Sequence, residues 1–85
     1  MLMIKTSEEA IQKLDLLKSQ IRHIKYNHDI HKIILNLNGL IKTLSQKEVF
    51  ARQTKKHYVL DEPLHELNEA FDYVEKLIII ATLCD

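Results

Sequence analysis

The stretch LDEPLHELNEAFDYVEKLIIIATL, residues 60–83, decides the fold. Leu60, Leu64, Leu67, Phe71, Val74, Ile78 and Ala81 recur at alternating four- and three-residue steps, the period of one apolar helix face. Asp61 and Glu62 stand where the positive end of a helix dipole favours acids. Pro63 falls in the first turn, where its missing N–H costs no helical bond. The spacing predicts a helix over residues 62–83. Its opposite face carries Glu62, His65, Glu66, Glu69, Asp72 and Lys76, nearly all acidic. From Leu77 to Leu83 the chain is apolar almost all round, and such an end is expected to lie centrally or against another chain. Ile79 and Ile80 are the members of that run lying off the main seam.

Upstream, the same period returns twice. Ala10, Leu14, Leu17, Ile21 and Ile24 mark a first helix over about 7–26, opened by Thr6 and Glu9 at capping-box spacing. Ile30, Ile33, Ile34, Leu37, Ile41 and Leu44 mark a second over about 29–44. On a straight helix the second stripe lies roughly 180° from the first, at about 100° per residue. One rod could not bury both against one neighbour, and the cap-type residues Asn27 and Asp29 place a turn between them. The second stripe keeps its phase through Asn38-Gly39, so no break is expected there. Ser45 with Glu48 repeats the capping-box spacing, and Val49, Phe50 and Tyr58 are out of phase with the preceding stripe. These signs predict a short separate helix over about 46–57. The expected fold is all-α, one domain over residues 1–85, a small antiparallel bundle of three or four helices.

Composition narrows the class. One glycine and one proline in 85 residues argue against a turn-rich β fold, and 46% apolar residues argue against disorder. Cys84 is the single cysteine, which excludes an internal disulfide and suggests a reducing compartment. The opening residues MLMIKTSEEA lack the basic start, apolar run and cleavage site of a signal peptide, and no apolar run approaches the roughly 20 residues that span a bilayer. A cytoplasmic protein without membrane contact is expected. A chain this small builds a marginal core, which together with the apolar run Leu77–Leu83 points to a homodimer.

The zero net charge conceals a separation. Residues 1–60 carry eleven Lys and Arg against five acids, whereas residues 61–85 carry seven acids against Lys76 alone. The two parts are therefore oppositely charged, at +6 and −6, and such fields steer association more than they govern fold.

Four groups of residues could carry chemistry. Arg52 and His57, with four residues between them, resemble the motif of the HEPN family of helical-bundle ribonucleases over a seven-residue stretch ending at Tyr58. That resemblance implies proton transfer by His57, phosphate contact by Arg52 and a site assembled across a dimer. On an ideal helix, however, side chains five apart diverge by roughly 140°, so they converge only if the helix ends or bends between them. His23, His28 and His31, with Asp29, offer imidazoles near one another and would need a further ligand such as His57 or His65 to hold a metal. Their place at a helix junction favours solvated or capping roles. Glu62 and His65 have the Glu-x-x-His spacing of di-iron bundles, but one motif is present and it lies opposite the leucine seam. Lys18, Arg22 and Lys25 form a basic stripe that could meet nucleic acid, though basic residues are spread over every upstream helix. No phosphate loop, nucleophile signature or CxxC pair is present, and no cofactor or metal is expected.

The balance favours a non-enzymatic protein-binding regulator, inhibitor or adaptor. Its expected partner-binding residues are Glu62, Glu66, Glu69, Asp72, Ile79 and Ile80. A ribonuclease using Arg52 and His57 is the alternative, followed by a nucleic-acid binder using the basic first sixty residues.

Overall fold

The computed structural model describes residues 3–22, 24 and 28–84, the side chains of His28, Asp29 and Cys84 excepted. It is all-helical: α1 (Ser7–Ile21), α2 (His28–Thr54), a 3₁₀ turn (His57–Leu60) and α3 (Asp61–Cys84), with no strand among the described residues. α2 is the central element and packs against α1, the 3₁₀ turn and α3.

α1 begins as its sequence dictates. Thr6 is the N-cap, its hydroxyl oxygen accepting from the Glu9 N–H at 3.1 Å. The helix stops at Ile21, short of the expected Tyr26, which lies outside the described residues. Ile24 explains the difference, because its N–H donates to the Ile21 carbonyl in a turn while its side chain still packs on the core. A three-residue step between apolar residues is met by that turn as well as by a further helical one.

The expected break at Ser45 does not occur. α2 is one helix of 27 residues, so the separate helices over 29–44 and 46–57 are corrected to a single element and the count is three. Leu37, Leu44 and Ala51 are all buried at seven-residue spacing, so the core stripe runs straight through the supposed boundary. Val49 and Phe50 are out of phase with it because they face solvent, at 44% and 48% exposure. Glu48 does not serve Ser45; its carboxylate accepts from the Ser7 backbone N–H at 2.8 Å and from the Ser7 hydroxyl. The acid thus caps the start of α1 from across the molecule.

α2 ends at Thr54, and Lys55 takes the left-handed conformation with φ 60°. The 3₁₀ turn then leads into α3, where Pro63 is buried in the first turn and Leu67, Phe71 and Val74 form the centre of the core. The whole predicted seam of this helix lies in or against that core.

Two side-chain links join α1 and its leading segment to α3. The Asn68 amide accepts from the Ile4 N–H at 2.7 Å and donates to the Ile4 carbonyl at 3.0 Å, holding the buried Ile4 in place. Lys13 and Glu75 pair at 2.6 Å, each 23% exposed, with the Lys13 ammonium 5.2 Å from the centre of the Phe71 ring.

Candidate docking channel and the Arg52–His57 groove

The acidic face of α3 borders a shallow channel. Ile33, Asn36 and Leu40 of α2 face Glu66, Glu69, Ala70 and Tyr73 of α3 around a volume of about 560 Å³. Its floor is apolar and half-buried, through Ile33, Leu40 and Ala70, while Tyr73 stands 57% exposed at the side. Helical spacing makes this arrangement: Glu66, Ala70 and Tyr73 follow one another at four- and three-residue steps and so share one edge of α3.

Of the expected acidic residues, Glu62, Glu66 and Glu69 are exposed and Asp72 is half-buried. Glu69 lies 3.0 Å from His65, and Asp72 lies 3.8 Å from Lys76, both pairs one helical turn apart. The exposed Asp72–Lys76 pair contributes about 0.3–0.5 kcal/mol. Neither Glu62 nor Glu66 has an ion-pair partner among the described residues. Ile79 and Ile80 are 59% and 56% exposed. They do not share the acidic channel's lining. Ile79 instead borders a slot of about 310 Å³ between α1 and α3, with Leu16, Leu17 and Ile78 beside the Lys13–Glu75 pair.

Arg52 and His57 line a second groove, of about 440 Å³, together with Ser7, Ser45, Glu48 and Leu60. The helix end at Thr54 and the left-handed Lys55 fall between them, which is the break that their five-residue separation requires. Glu48 lies in the same groove, but it is engaged with Ser7 at the α1 N-terminus.

The other candidates stay apart. His23 and Lys25, with the side chains of His28 and Asp29, lie outside the described residues; His31 is exposed, and no group of three possible ligands occurs among the described residues. Glu62 and His65 are both exposed, and His65 turns to Glu69. Lys18 and Arg22 lie exposed at the C-terminal end of α1. No described helix is long and apolar enough to cross a membrane.

No family model, curated protein or solved structure matches the chain.

Sequence reasoning missed Tyr73, Ile33 and Leu40 as members of the acidic site. Tyr73 carried a readable signal, since it lies four residues after Glu69 and so continues an acidic edge of α3 with an aromatic ring. Ile33 and Leu40 carried none, because the core stripe absorbed them and their facing helix is remote in sequence.

Proposed function

We propose that this protein is a small non-enzymatic protein-binding regulator or adaptor whose docking site is the channel between α2 and α3. The observation that carries the reading is the pairing of an apolar floor, Ile33, Leu40 and Ala70, with unpaired carboxylate at its edge, Glu66. An apolar floor supplies the attraction, and the charged rim selects a basic surface and speeds its capture. The frame is read as an antiparallel bundle, in which the start of α1 meets the later part of α2 through Ser7 and Glu48. We read the protein as cytoplasmic and homodimeric, with Ile79 and Ile80, both exposed, as further association surface. Affinity capture with the wild type and with Glu66→Lys/Glu69→Lys tests the reading. A bound protein that is released by salt and lost in the double variant is expected; retention that ignores both carboxylates would overturn it.

A second reading, a ribonuclease acting through Arg52 and His57, has one observation in its favour: the end of α2 brings both residues to a single groove. There the imidazole would move protons while the guanidinium meets phosphate. Cleavage of a mixed RNA pool by purified protein, abolished in both Arg52→Ala and His57→Ala, would establish it. Cleavage that persists in either variant would refute it.

A further inference from the structure

We infer that the α2–α3 channel receives an amphipathic α-helix of the partner, with an apolar face and basic residues along one flank only. The inference rests on the docking reading above and names the chemistry of its partner.

The make-up of the channel selects a helix. Peptide segments dock by adding a strand to a sheet edge, by laying a polyproline stretch across aromatic side chains, by offering a phosphate to an arginine cluster, or by setting an amphipathic helix into a groove. The channel is walled by two helices, whose backbone groups bond within each helix, so it presents no strand edge. Tyr73 is the one aromatic residue in its lining, and no arginine lines it. A helix in the groove is the mode left, and the anchor points have helical spacing. Ile33 and Leu40 stand seven residues apart on α2, about 10.5 Å by the rise of an α-helix, and Glu66 and Tyr73 have the same separation on α3. Apolar residues at i, i+4 and i+7 of a docked helix cover that length. Ala70, half-buried in the floor, has a side chain small enough to let another helix settle close to α3.

The two rims fix the flank. On α3, Glu66 and Glu69 border the channel, Glu66 without an ion-pair partner among the described residues and Glu69 paired with the exposed His65 one turn away. On α2 the border is uncharged: Asn36 lines the channel, and Thr43, seven residues on, is exposed. Lys or Arg along the flank over α3 therefore meets carboxylates, whereas charge on the other flank meets neutral polar groups. Such cations speed capture and also set direction, because turning the helix end for end carries its basic flank to the α2 side. Tyr73, 57% exposed beside the floor, offers its ring to the aliphatic stems of those cations.

Two synthetic peptides of about 14 residues test the inference, short enough to be largely unfolded alone. Both carry Leu at the a and d positions of two heptads with Gln and Ala elsewhere; one has Lys at its e positions and the other Glu. Titrated against the intact chain, the Lys peptide should gain helix by circular dichroism as it binds, and should bind more tightly than the Glu peptide by about tenfold or more, since like charges facing across an interface are costly. Glu66→Lys/Glu69→Lys, at two exposed sites, should reverse that order, and its recovered binding of the Glu peptide shows that the variant is folded. A Lys peptide that does not bind, binding without gain of helix, or an order that the double variant leaves unreversed would overturn the inference. A wild type that in that event still captures a protein through Glu66 and Glu69 would leave the proposed function standing. One that captures nothing through those residues would overturn both.

Discussion

Asn68 is a single side chain that fixes a whole segment. Its amide satisfies both backbone groups of Ile4 and donates to the Leu64 carbonyl at 2.8 Å, so the extended residues ahead of α1 are tied to α3. Asn68→Ala removes these bonds and leaves part-buried backbone groups unpaired, at an expected cost of about 1–3 kcal/mol in denaturant unfolding. Asn68→Asp should be nearly as costly, because a carboxylate can accept from Ile4 but meets two carbonyl oxygens without a proton to offer. Lys55 is the opposite case, a position the present residue does not suit. Its φ of 60° is a conformation that glycine adopts freely and other residues adopt at a cost. Lys55→Gly should raise stability by about 1 kcal/mol, read as a shift in the denaturation midpoint at constant slope. Neither role was legible in the sequence. Asn68 looked like one more polar residue in an amphipathic helix, and the turn at Lys55 has no glycine to announce it.

At the scale of elements, local pattern succeeded where the partner was local and failed where it was distant. The seam of α3 was legible because its seven apolar residues all meet one core, and Thr6 with Glu9 caps α1 as their spacing predicts. Ser45 and Glu48 had the same spacing and a different outcome, since Glu48 serves Ser7, 41 residues away, and α2 runs on. A three-residue interval records that a cap is possible. It does not record that another helix start competes for the acid. A cap at Ser45 and a continuous α2 respond differently to substitution. With α2 continuous, Ser45 is an exposed mid-helix residue, and Ser45→Ala should leave stability unchanged or raise it by a few tenths of a kcal/mol. Glu48→Ala should cost about 1 kcal/mol, because the first turn of α1 loses its acceptor and a favourable charge at its dipole. Thermal unfolding of the two variants side by side decides between them.

The whole molecule is organised by its charge separation, which was legible at once, and by where folding places it, which was not. Glu66 and Glu69 come to lie at the edge of a channel that needs Ile33 and Leu40 of α2 to meet Ala70 and Tyr73 of α3. No local spacing in the chain encodes that meeting. The association proposed at this channel is led by charge over an apolar floor. Its salt dependence is therefore the most direct test. Between about 0.01 M and about 1 M salt the screening length falls from roughly 30 Å to roughly 3 Å, which removes the attraction of an exposed acidic rim while sparing apolar contact. Affinity capture by the wild type and by Glu66→Lys/Glu69→Lys across that range should show the wild type's hold on its protein partner weakening steadily with salt, and the double variant failing to capture it at low salt. Wild-type association that is indifferent to salt, or that strengthens as salt rises, would contradict the account.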